Sequence, residues 1–195
     1  MEFALVIICA VPLFFGTVAI GIALGRAEEA VQVTRDVGHM YANGVDFTSA
    51  QAQQLVSSLG SGFDLSAGGN AVLIFSQVTT VFAADCTNAG VNPCTNAGQP
   101  VFIQRVTIGN TSLKSSAFGT PPASYMDALG NIKSSDYMAQ ASLVATGFGT
   151  VIPQADGDVA YLVEGFFNMP DLSFLSVGFQ GTNGTPGGFY VRAIF

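Results

Sequence analysis

The spacing of apolar and polar positions changes twice along the chain. From Phe3 to Gly25 the residues are almost wholly apolar, 23 positions without a charge. Beyond Arg26, Ala27, Ala30/Val31, Thr34, Val37/Gly38 and Tyr41 recur at helical spacing. Glu28, Glu29, Arg35 and Asp36 fall off that stripe. The pattern predicts one long helix from Phe3 to about Asn43, greasy all round in its first half and one-faced in its second. At 1.5 Å per residue such a helix is a rod of roughly 60 Å. Pro12 and Gly16 are the expected helix break, since proline removes a helical hydrogen bond and crowds the preceding turn. Asn43-Gly44 is the expected stop.

Thr48-Ser-Ala-Gln51 reads as a capping box opening a short helix to about Leu59, with Gly60 behind it. The glycine-rich stretch Gly60 to Gly69 reads as a linker or turn. The period then shortens. Ala71 to Ala83, Val101 to Ile108, Val159 to Phe167 and Phe189 to Phe195 are strand-length runs rich in β-branched and aromatic residues. Val159, Tyr161 and Val163 alternate with Ala160, Leu162 and Glu164; Phe189, Val191, Ala193 and Phe195 alternate with Tyr190, Arg192 and Ile194. That alternation predicts an antiparallel sheet with one covered and one wetter face. Ser134 to Leu143 reads as loop or short helix, and Gln180 to Gly188 as a loop before the last strand. The predicted fold is α+β: a long N-terminal hydrophobic helix packed on a C-terminal antiparallel β-sheet domain. Residues 1–45 form the helix, with 1–25 its membrane or filament-core part and 26–45 its amphipathic part. Residues 46–195 form the exposed domain.

Composition narrows the function classes. Charged residues are only 10% of the chain, against roughly 25% in ordinary soluble domains. Glycine is abundant at 23, so the surface is polar but sparsely charged, as in exported and assembled proteins. A net charge of −7 and six scattered basic residues argue against nucleic acid as a partner. Of three cysteines, Cys9 lies in the apolar run and reads as a small buried hydrophobe. Cys86 and Cys94 close a short loop rich in Asn, Gly and Pro, and are expected to pair in an oxidising compartment. The histidine, His39, lies too far off in sequence to complete a metal site with them.

Enzyme chemistry finds little to stand on. His39 reads as a helix-terminal packing residue. No G-x-S-x-G, phosphate-binding loop or H-E-x-x-H occurs. Asp156-Gly-Asp158 lacks the spacing and closing glutamate of a calcium loop and reads as a polar turn. Asn110-Thr-Ser and Asn183-Gly-Thr match the glycosylation sequon and also read as turns. Asp85 reads as a strand-end residue. No catalytic residue, cofactor or metal is expected.

The informative charge is Glu2, a carboxylate opening an apolar helix long enough to cross a bilayer. Such an acid is costly unless neutralised. No Lys or Arg precedes the run, so it fits neither a standard signal peptide nor a plain signal anchor. A basic leader removed ahead of Met1 is the simplest expectation. Paired with a neighbouring chain's N-terminal amine, Glu2 would lose its cost and set the axial register between chains.

Glu2-Phe3-Ala4-Leu5-Val6, the mid-run proline and Gly25-Arg26-Ala27 resemble the opening of type IV pilins. Together with Gln32-Val-Thr-Arg-Asp-Val-Gly-His-Met-Tyr-Ala42 they resemble, more narrowly, the TadE-like family of tight-adherence (Tad) pili. The resemblance covers about the first 45 residues. It implies a subunit held in the inner membrane, extracted by the Tad/type IV assembly machinery, and polymerised into a helical homopolymer at the cell surface, with a role in adhesion. It implies that Glu2 is the assembly acid, with Phe3, Val6, Val11, Phe14, Phe15 and Val18 as core contacts. In those families the acid is fifth in the mature chain; here it is second. Either three mature residues and a leader precede this sequence, or processing departs from the pattern. A minor pseudopilin and a membrane-tethered extracytoplasmic binding module are the competing expectations.

Overall fold

The computed structural model describes residues 2–60, 62–155, 157–168 and 188–195. The side chains of residues 2–6 and of Cys9 lie outside that description, and with them the expectations for Glu2, Phe3 and Val6 as contact residues. The expectations for Asp156, the 180–187 loop and the Asn183 sequon also fall outside it.

The first element, α1, is a helix over Glu2–Ala42. It runs through Pro12 and Gly16 without interruption, so the expected break is absent. One proline deletes one backbone bond, and the turns on either side keep theirs. The helix ends where predicted: Gly44 sits at φ 83°, Val45 N–H bonds Met40 O and Gly44 N–H bonds Tyr41 O. This is the 6→1 and 5→2 pairing that a left-handed glycine permits.

Helix α2, Ala50–Leu59, starts one residue later than the capping-box reading requires. Asp46 Oδ1 accepts from both Thr48 N and Thr48 Oγ1, which occupies Thr48 in a turn. Ser49 is the cap instead, its Oγ accepting from Ala52 N.

Four antiparallel strands follow: β1 Ala71–Thr80, β2 Pro100–Gly109, β3 Val159–Asn168 and β4 Gly188–Ile194, in the order β2-β1-β3-β4. Strand β1 is shorter than expected, because Ala83–Ala89 forms a helix, α3. Asp85 is therefore not a strand-end residue. Its Oδ2 accepts from Phe82 N at 2.7 Å in the first turn of α3, where backbone donors are free. Helix α4, Ser134–Ala139, and a 3₁₀ turn over Ala141–Leu143 resolve the loop-or-helix choice in favour of helix.

The prediction of one wetter sheet face fails at the centre. Leu162 and Glu164 are buried on one face of β3 and Val163 on the other. On one side α1 lays Ala30, Val33, Val37 and Tyr41 against Leu73, Phe75, Val163 and Phe167. On the other, the β2–β3 connection returns across the sheet and packs Phe118, Leu143 and Phe148 on Val78, Phe102 and Leu162. The helical stripe also shifts: Val33 is buried and Val31 half exposed, since 100° of rotation separates Ala30 from Val31.

Candidate assembly surface

The two halves of α1 live in different surroundings. From Ala30 to Tyr41 its apolar stripe is covered by the sheet. Tyr41 packs edge-on to Phe75 and Tyr161, at ring separations of 5.3 and 5.5 Å. His39 lies against the Phe195 ring, 4.5 Å between centroids, in the packing role expected of it. Gly38 sits directly under that ring, where no β-carbon fits.

Before Arg26 the large apolar side chains that are described face open space. Ile8, Leu13, Phe14, Phe15, Ile20 and Leu24 are exposed, Phe14 at 65% and Phe15 at 64%. Val11 and Val18 are exposed too, so every described member of the expected contact set faces outward. Gly16, Gly21 and Gly25 have nothing within 4 Å of the position a β-carbon would take. Their smallness therefore serves no packing among the described residues, unlike that of Gly38. The burying stripe begins as early as Ala19 and Ala23. Ala10–Ala42 contains a window long and apolar enough to cross a membrane by length and composition.

A polar junction marks the change. Arg26 Nη1 bonds Glu29 Oε2 at 3.1 Å, and Glu29 Oε1 accepts from Gly62 N at 3.2 Å. This ties α1 to the turn behind α2 just as the helix leaves the domain. Among the described residues no group of three or more His, Cys, Asp or Glu is placed to hold a metal ion.

At the far end of the sheet Cys86 and Cys94 form a disulfide, Cα–Cα 5.8 Å, between β1 and β2 as expected. Asn110 sits in a turn, its Oδ1 accepting from Ser112 N and Oγ at 3.1 and 2.6 Å.

Sequence reasoning missed the buried polar cluster around Glu164. This carboxylate accepts from Ser116 Oγ, from Ala117 N at 2.8 Å and from Tyr190 Oη at 2.5 Å. Arg105, also buried, donates to Gly119 O at 2.9 Å and stacks 4.5 Å from the Phe102 ring centroid. Burial pushes the Arg105 guanidinium down to about 10, against the pull of Glu164, so it stays charged at neutral pH. Burial and the bond to Glu164 raise the Tyr190 phenol above its usual value. The cluster clamps the β2–β3 connection and β4 to the sheet. Its signal was present: one carboxylate in Tyr-Leu-Val-Glu-Gly-Phe-Phe and one arginine in Val-Phe-Ile-Gln-Arg-Val-Thr-Ile, each inside an apolar run.

No protein-family model, curated protein or solved structure matches this chain. The pilin resemblance therefore rests on the residues of the first 45 positions.

Proposed function

We propose that this protein is a structural subunit of an extracellular type IV pilus-like filament, polymerised through the first half of α1. The observation that supports this most is the contrast along one unbroken helix. Ala30, Val33, Thr34, Val37 and Tyr41 are buried on their own domain, while Ile8 to Leu24 present large apolar side chains on a helix with room for close neighbours. Each such side chain contributes about 1.5–3 kcal/mol when fully buried. A bilayer supplies that burial before assembly; other copies of the helix supply it afterwards. Small residues at Gly16, Gly21 and Gly25 allow helices to approach closely. Glu2 neutralises the N-terminal amine of an adjoining subunit and sets its axial step. The sheet domain faces water, its disulfide suited to an oxidising exterior.

The test is negative-stain microscopy of material sheared from cells expressing the full gene, with intact-mass analysis of the fibres. Filaments made of this chain, lost in Glu2→Ala while that variant still accumulates in the membrane, are the expected result. Protein that stays in the membrane fraction with no fibres overturns the reading as a main subunit. In that case a minor pilin or a tethered module takes its place.

A further inference from the structure

The end of the sheet farthest from the apolar half of α1 holds a cleft. Helix α1 crosses the sheet from Thr34, over Gly165, to Tyr41, beside Phe75. Thr80 lies five positions further along β1, about 17 Å beyond Phe75. There Thr80, Asp85 and Asn88 face Tyr137 and Met138 across a cleft of about 430 Å³. That volume lies in the range of small-molecule sites.

The walls are braced. The Cys86–Cys94 disulfide joins α3 to the loop before β2. Asn96, 1% exposed, follows in that loop and donates through Nδ2 to Tyr137 O and Gln140 O, both at 2.7 Å. Its backbone N–H bonds Met138 O at 3.0 Å. A buried amide spending both its protons on α4 fixes where the Tyr137 ring stands.

Thr80 Oγ1 donates to Gln154 Oε1 at 3.2 Å, but three other side chains facing the cleft keep hydrogen-bonding capacity. Asp85 uses Oδ2 to hold Phe82 N, leaving Oδ1 without a protein hydrogen bond among the described residues. The Asn88 amide and the Tyr137 hydroxyl likewise have no hydrogen-bond partner among the described residues, although Tyr137 is partly buried. No lysine or arginine lines the space. A carboxylate without a cation disfavours anions, and three unsatisfied polar groups disfavour a purely apolar guest. Carboxylate, primary amide and phenol together accept from and donate to vicinal hydroxyls. The tyrosine ring and Met138 offer an apolar wall to the C–H face of a sugar.

We propose that this cleft binds a neutral saccharide of one or two rings, held by Asp85, Asn88 and Tyr137. The site requires no polymerisation, so it stands or falls apart from the filament reading.

The test uses the full chain in a non-glycosidic detergent, because a maltoside headgroup belongs to the proposed ligand class. Saturation-transfer-difference NMR is run with lactose, cellobiose and N,N′-diacetylchitobiose, and with N-acetyl-lysinamide as an ammonium probe. The expected result is transfer to at least one disaccharide with a millimolar Kd. Asn88→Ala and Tyr137→Phe each weaken it about tenfold, one hydrogen bond's worth, with the circular dichroism spectrum unchanged. Asn88 makes no side-chain hydrogen bond among the described residues, so its truncation leaves the described walls standing. Silence from all three sugars overturns the proposal. So does binding of the ammonium probe alone, or sugar binding that both variants leave unaltered.

Discussion

Thr34 Oγ1 on α1 lies 2.7 Å from the point a β-carbon on Gly165 of β3 would occupy. The helix can approach the sheet this closely only because Gly165 has no side chain; the edge of Phe167 stands equally near the same point. Gly165→Ala must push the helix or the ring aside. Overpacking of this kind costs about 1–3 kcal/mol. Unfolding of the full chain in detergent should show that loss, and a smaller one in a Thr34→Ala background, where one of the two obstacles is gone. Strictly additive effects of the two substitutions would refute a steric contact between these positions.

That contact shows where sequence reading reaches and where it stops. The ends of α1 were legible, because Asn43-Gly44 carries its own backbone chemistry. So were the strands, whose β-branched and aromatic runs stand out over short windows. The depth of the sheet's second face was not. It depends on residues 110–158, where Phe118, Leu143 and Phe148 are spaced without a helical or strand period yet meet over Leu162. Local alternation left open which side Glu164 faces, since nothing near it in sequence announces Ser116 or Tyr190 as partners. The exposed apolar half of α1 was readable as composition. That Gly16 and Gly21 pack against nothing among the described residues, while Gly38 and Gly165 are covered, needed the fold.

Glu164 accepts three hydrogen bonds in a buried setting near the charged Arg105. Glu164→Ala leaves the Ala117 N–H and two hydroxyls short of an acceptor, and takes the nearby negative charge away from the buried Arg105 guanidinium. The expected cost is about 3–5 kcal/mol, as for other buried charges stripped of a partner. Glu164→Gln keeps the volume but loses the charge, and should cost less. Urea titration measures both. A loss under about 1 kcal/mol for the alanine variant would mean that the clamp adds little to stability.

The same cluster sets an alkaline limit. The Tyr190 phenol is raised above its unfolded value of 10.0 by burial and then by its bond to Glu164. A raised folded pKa means that, above pH 10, the unfolded chain releases this proton more readily than the folded one. The contribution is complete below the unfolded value and declines as pH rises through and beyond it. Arg105, held near 10 against 12.5, acts in the opposite direction over part of that window, so the wild-type curve is a sum. Comparison with Tyr190→Phe isolates the phenol. The variant should be less stable at neutral pH, having lost the bond to Glu164, and should lose less of its remaining stability between about pH 9 and 12. Parallel curves for the two proteins would contradict the linkage.

Phe14 and Phe75 offer the sharpest contrast between surface and core. Phe75 is fully buried and stacks on Phe47 at 4.4 Å between ring centroids, whereas Phe14 is 65% exposed on the free half of α1. Phe75→Ala should cost about 3–5 kcal/mol, the usual figure for a large core aromatic. Phe14→Asp should leave unfolding of the sheet domain within about 0.5 kcal/mol of wild type, since Phe14 is 65% exposed and touches none of the domain's described residues. Its consequence should appear between molecules: a charge on the apolar rod is costly wherever that rod is to be buried, so fibres should not form. The pair of measurements separates two meanings of a hydrophobic residue. If Phe14→Asp lowers domain stability as Phe75→Ala does, the free half of α1 is folding back onto its own domain. The surface assigned to neighbouring subunits would then belong to the subunit itself.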